Sequence, residues 1–161
     1  MVPIMEDQAT QTKALVKSVN HTSFTVTDLD RTIAFLCDGL GFRLLDKSPR
    51  DPAGIEKVVG IKGADMMIAF VQAPGHRIEL IKYLGPEDRK VVVVRPCDTG
   101  FAHLALDVND IDATIEVAAQ YQVKPINDPV EVSHGPNAGL YCAYMRDPDG
   151  VTFEVIGPRL K

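Results

Sequence analysis

Apolar and polar positions alternate cleanly in two stretches of the chain, residues 18–26 and 101–108. In the first, Val19, His21, Ser23 and Thr25 fall on one face, and Thr22, Phe24 and Val26 on the other. In the second, Phe101, His103, Ala105 and Asp107 oppose Ala102, Leu104, Leu106 and Val108. A period of two is the mark of a half-buried strand. Both stretches then change to a helical period, with Ile33, Leu36 and Leu40 after the first and Ile111, Ile115 and Ala118 after the second. Thr27 and Asn109 stand where N-caps are expected, and Asp30 and Asp112 at the third helical position complete a capping-box-like arrangement. The first helix is expected to stop near Gly39 or Gly41, and the second near residues 121–123, ahead of Pro125. Further strands are expected over 55–61, 65–72 and 77–83, and then over 129–133, 140–146 and 152–156. Turn signals separate them at Pro74-Gly75 and Asp147-Pro148-Asp149-Gly150.

The two halves repeat one another. Setting His21 on His103 also sets Asp28 on Asp110, Asp30 on Asp112, Thr32 on Thr114 and Ile33 on Ile115. Farther along, Ile78-Glu79-Leu80-Ile81 matches Phe153-Glu154-Val155-Ile156. Two copies are too few for a solenoid and suit a pseudo-symmetric pair of modules. The expected organisation is a disordered leader over 1–15, a first βαβββ module over 16–84, a linker over 85–98 and a second βαβββ module over 99–157. Helices mixed with antiparallel hairpins make the class α+β, with the two modules in a pseudo-two-fold arrangement.

Each module offers one His and one Glu from the more polar faces of its strands. Glu79 shares a face with Arg77, Ile81 and Tyr83, and Glu154 shares one with Thr152 and Ile156. If the modules curl around a shared cup, His21, Glu79, His103 and Glu154 converge. Two imidazoles and two carboxylates suit one divalent first-row ion such as Ni, Co, Mn, Fe or Zn. Four protein ligands would leave open positions for two neighbouring substrate oxygens, a set-up for polarising a carbonyl and stabilising the enediolate that proton loss leaves.

Composition changes this picture mainly by exclusion. The net charge of −5 over 161 residues argues against nucleic acid and an anionic membrane as partners. No apolar run is long enough to span a bilayer. Cys37, Cys97 and Cys142 are odd in number and outside any CxxC pattern, which reads as reduced thiols in a cytoplasmic protein. No nucleophilic triad, phosphate-cradling loop or nucleotide fingerprint is present.

The βαβββ repeat, the two strand-borne histidines, Gly39-Leu40-Gly41-Phe42 and the closing Asp147-Pro148-Asp149-Gly150-Val151-Thr152-Phe153-Glu154 resemble the glyoxalase / bleomycin-resistance / dioxygenase (vicinal oxygen chelate) superfamily. The resemblance implies a metal-lined cup, commonly in a homodimer, acting on a small-molecule substrate. It places His21, Glu79, His103 and Glu154 at the four ligand positions of the glyoxalase-like pattern. It implies an epimerase, isomerase or glyoxalase-type lyase, with Glu154 or Glu79 as base. Extradiol Fe(II) dioxygenases of the family use two His and one Glu, and its drug-binding resistance proteins generally lack the ligands, so both are weaker alternatives. Glyoxalase I usually carries an Arg four residues after the first His and an Asn four after the first Glu. This chain has Thr25 and Tyr83 there, which speaks against glutathione.

Epimerase relatives have an acid in the region of Glu56, which makes it a candidate second proton carrier. His134, in the loop Ser133-His134-Gly135-Pro136-Asn137, is placed to close over the cup, and Tyr83, Arg95 and Tyr144 are candidate pocket residues. His76 reads as a surface residue of its turn.

Overall fold

A computed structural model describes residues 15–160, so the expected leader lies almost wholly outside the described residues. The first module runs β1 (Thr22–Thr25), α1 (Leu29–Ala34), β2 (Arg43–Pro49), α2 (Pro52–Val59), β3 (Asp65–Ala73) and β4 (His76–Gly85). A π-helical turn, Phe35–Gly39, continues α1. The second module runs β5 (His103–Asp107), α3 (Ile111–Gln120), β6 (Lys124–Pro125), β7 (Val130–Glu131), β8 (Tyr141–Arg146) and β9 (Thr152–Gly157). No helix among the described residues is long and apolar enough to cross a membrane.

Both modules start their first helix one residue later than the repeat suggests. Asp28, not Thr27, caps α1 by accepting from the Arg31 amide, and Asp110, not Asn109, caps α3 by accepting from the amides of Asp112 and Ala113. Asp30 and Asp112 are therefore not capping-box residues. Asp30 pairs with Lys47, and Asp112 takes a fork of two hydrogen bonds from Arg159 at 2.7 and 2.8 Å.

The strand expected over 55–61 is instead helix α2. Asp51 caps it through the Gly54 amide, Pro52 opens it, and Gly60 closes it in a left-handed conformation with φ 69°. Ile55 and Val59, one helical turn apart, are its half-buried positions. The missing strand of the module is the polar, largely exposed edge strand β2. In the second module the stretch expected as 129–133 shrinks to the two residues of β7, and β6 is equally short.

Two sheets result. In the first the order is β1-β4-β3-β2, in the second β5-β9-β8-β6, with β7 also paired to β8. The first strand of each module lies parallel to the last, β1 to β4 and β5 to β9, and the other pairs are antiparallel. In consequence β1 and β5 are both edge strands. The sheets share one core, with the π-turn between them. Phe35 meets Phe153 at 5.3 Å and Tyr121 at 6.1 Å between ring centres, and Phe24 of β1 meets Phe153 of β9 at 6.0 Å. Ile78, Leu80 and Val71 close the core from the first sheet, Met145 and Val155 from the second.

Candidate functional site

In the first module the imidazole of His21, just ahead of β1, lies against the middle of β4, with Nε2 3.3 Å from Glu79 Oε2. Glu79 is held on the same sheet face by its register opposite Phe70 of β3 and Ser23 of β1. Phe70 supports the histidine edge-on at 5.7 Å, and Arg77 lies over the other side of the Phe70 ring. The Nδ1 of His21 is 2.8 Å from Asn20 Oδ1. An amide oxygen only accepts, so Nδ1 carries a hydrogen and Nε2 is left to face the carboxylate.

The second module repeats the pair. His103 Nε2 lies 2.9 Å from Glu154 Oε2, and Glu154 sits opposite Tyr144 of β8. Tyr144 and Phe101 pack on the imidazole at 5.0 and 5.8 Å. Cys142, on the same face of β8, places its Sγ 3.0 Å from Glu154 Oε1. Partial burial, then the charge of Glu154, raises the Tyr144 phenol above its ordinary value of 10.0, so it stays protonated at neutral pH. Burial, followed by the Glu154 hydrogen bond, pushes the Cys142 thiol up to about 12.

The four expected ligands thus form two pairs, and the pairs stay apart within one chain. Phe24 and Phe153 point from their sheets into the shared core and touch, so His21 and Glu79, on the reverse face of the first sheet, and Glu154, on the reverse face of the second, look away from one another. Among the described residues no group of three or more His, Cys, Asp or Glu side chains could hold a metal ion. Each half nevertheless has the donor chemistry for half of a divalent site, one imidazole nitrogen and one carboxylate oxygen aimed at the same point.

The other expected residues scatter. Tyr144 and His134 line a cavity of about 560 Å³ beside the second half-site, with Cys142, Ser133, Asn127 and Asp128, while His103 and Glu154 are not part of its lining. Among the described residues no Lys or Arg lines it. His134 Nδ1 is 2.7 Å from Ser133 Oγ. Tyr83 stands on the Glu79 face of β4, opposite Met66. Arg95 does not reach the cavity, because its guanidinium and amide are held by Asp98 at 2.6 to 3.0 Å. Glu56 is on α2, where it accepts from the Gly63 amide at 3.0 Å and closes that loop. His76 is not a surface residue, since its Nε2 bonds Thr22 Oγ1 at 2.9 Å and it is half-buried. Sequence reading missed Asn20 and Cys142. Alternation along β8 held a signal for Cys142, which must share a face with Tyr144.

The comparisons with known proteins agree with this architecture. The profile of the Glyoxalase/Bleomycin resistance protein/Dioxygenase superfamily matches residues 18–155. A 2-epi-5-epi-valiolone epimerase from Actinomyces is 33% identical over 144 residues, covering 86% of this chain and 78% of the relative. A probable lactoylglutathione lyase from Synechocystis is 31% identical, covering 84% of this chain and 92% of the relative. A glyoxalase family protein from Bacillus cereus, at 20% identity, shares the fold with a TM-score of 0.77 over 93% of this chain and 98% of its own. With two mixed sheets of four and five strands and a profile match along most of its length, the chain belongs to the glyoxalase/bleomycin resistance protein/dioxygenase superfamily.

Proposed function

We propose that the protein is a divalent-metal-dependent epimerase, or glyoxalase-type lyase, that moves a proton next to a carbonyl of a small molecule. The observation that carries the reading is the duplicated His–Glu pair, one on the outward face of each sheet. The site is completed by a second copy of the chain, in which His21 and Glu79 of one protomer meet His103 and Glu154 of its partner. Support comes from the two free edge strands, β1 and β5, each next to the strand that carries its module's glutamate, which leaves a sheet edge ready for pairing beside each half-site. A self-complementary two-fold contact brings both half-sites of each chain into use at once.

A divalent ion bound there supplies Lewis acidity, which polarises a carbonyl and lowers the cost of removing the neighbouring proton. The chain's own residues do the rest. A glutamate of the set takes the proton and returns it. Tyr144, kept as a neutral phenol, donates to a substrate oxygen. Asn127, Asp128, Ser133 and His134 line the approach. Hydroxyl, amide and carboxylate groups without a cation suit a neutral, hydroxyl-rich ketone better than the carboxylates of glutathione. That preference, with the relative named 2-epi-5-epi-valiolone epimerase, puts epimerase ahead of lyase.

The test is metal content by mass spectrometry on protein purified without a metal-affinity tag, paired with NMR detection of solvent deuterium entering hydroxy-ketones. About one equivalent of metal per chain, lost in His103→Ala, and exchange that stops with it are expected. Wild-type protein that ignores added Ni, Co, Mn, Fe and Zn ends the reading.

A further inference from the structure

The carboxylate of Glu154 is held at both ends. Oε2 meets His103 Nε2 at 2.9 Å, and Oε1 meets Cys142 Sγ at 3.0 Å. Glu79 has no such second partner. The strand register explains the difference: Cys142 pairs with Ile156, two residues after Glu154, and the matching position in the first module, paired with Ile81 two residues after Glu79, is Ile68. Because a carboxylate oxygen only accepts, the Cys142 sulfur at 3.0 Å from Glu154 Oε1 makes this contact as an S–H group. It is therefore a hydrogen-bond donor, where a thiolate would compete for a metal.

We propose that Cys142 is a positioning residue: its S–H fixes Oε1 of Glu154, so that Oε2 is the atom presented beside His103 Nε2 to the metal. The role rests on the metal reading of the site. It is a single donor acting on one ligand of one half-site, and it makes the second half-site the more rigid of the two. Partners that orient a metal ligand from behind commonly change metal affinity 10- to 100-fold when removed.

Cys142→Ser and Cys142→Ala in the full chain separate this role from packing. Cobalt(II) binding, followed by the visible absorption of the bound ion, is the readout. A hydroxyl donates as the thiol does, so Cys142→Ser is expected within about threefold of wild type and Cys142→Ala weaker by about tenfold or more. A thiol that only fills space gives Ser no advantage, with Ala binding cobalt as well as Ser or better. That order overturns the proposal, as does wild-type affinity in both. If the wild type takes up no cobalt, the metal reading falls, and the hydrogen bond is judged on its own by infrared spectroscopy of the S–H stretch. The Cys142 band, assigned by its loss in Cys142→Ser, is expected to move to higher frequency in Glu154→Gln as the charge-assisted acceptor is lost. A band that does not move removes the contact on which the inference stands.

Discussion

The two half-sites are copies in their ligands and unlike in what surrounds them. Around Glu79 the sheet presents Ile68 and Phe70, and Asn20 supports the pair from the histidine. Around Glu154 the same two positions are Cys142 and Tyr144, both proton-bearing at neutral pH. Repeat ancestry accounts for the shared His and Glu, and it does not require the divergence of their neighbours. The first half-site has a carboxylate with one oxygen unengaged; the second has one tied at both oxygens, next to a phenol and a cavity. On the proposed function, such a ligand set would divide its work, the first half moving the proton and the second holding still.

The largest effect tests whether the halves meet across two chains. His21→Ala and His103→Ala are each expected to lose metal and to lose deuterium exchange by at least about 100-fold. Mixed after unfolding and refolding together, the two variants form some dimers in which both lesions fall in one site and the other site is whole. Random pairing then restores about a quarter of wild-type sites. Zero recovery, with dimers present, would break the cross-chain arrangement and with it the pairing of the halves.

Which parts of this were legible in the sequence follows from what alternation can and cannot say. It gave Glu79 and Glu154 a strand face each, and the register sets them beside Ser23 and Ala105, while His21 lies ahead of β1. It could not say which face of each sheet turns inward. Phe24 and Phe153 decide that by meeting in the core, and the decision sends the pairs apart. The error at 55–61 has a different cause. Ile55, Val58, Val59 and Ile61 have β-branched side chains that read as a strand, while the cap at Asp51, the opening Pro52 and the closing Gly60 are local signals that outweigh them. Strand β2 went unread because an exposed edge strand has no buried face to impose a period.

Next in size, the two glutamates are expected to fail differently. Glu79→Gln keeps most of the metal and loses deuterium exchange by about 100-fold or more, because a free carboxylate oxygen is what a proton carrier needs. Glu154→Gln is expected to lose metal affinity first, by about tenfold or more, since with Oε1 fixed its Oε2 is the oxygen proposed to meet the metal. Equal losses of metal and exchange in both variants would erase the proposed division of labour. Tyr144→Phe should cost about tenfold in exchange rate with metal content unchanged, the loss of one donor to a substrate oxygen. Phe70→Tyr, its mirror in the first half-site, is expected to leave both unchanged.

The smallest effects concern the seams that hold the modules back to back, and these differ as the half-sites do. At one seam the β8–β9 turn locks onto the start of α1: Asp149 accepts from the Thr27 amide and hydroxyl at 2.9 and 2.5 Å and from Arg31 Nη2 at 2.8 Å. At the other, the β3–β4 turn and the start of α3 leave a cavity of about 850 Å³ lined by Pro74, His76, Asp110 and Thr114. Asp149→Ala is therefore expected to cost about 1–3 kcal/mol in urea unfolding, for three lost hydrogen bonds, one of them charged.

Within the same lock, Asp147 accepts from the amides of Asp149 and Val151 through Oδ1, while Oδ2 is buried without a hydrogen-bond partner, 3.9 Å from Arg31. Burial outweighs both the amides and the arginine and raises its carboxyl above the ordinary 3.8. A raised folded-state value means that the residue's stabilising contribution is complete below the unfolded value and fades as pH rises through the folded one. Asp147→Asn keeps the Oδ1 acceptor and removes this titration. The stability of wild type relative to Asp147→Asn should thus fall as pH rises from the ordinary carboxylate value through the raised folded-state one, and then level. A difference that grows with pH instead would mean that the Arg31 charge governs the site, and would place the ion pair, not the backbone turn, at the centre of the lock.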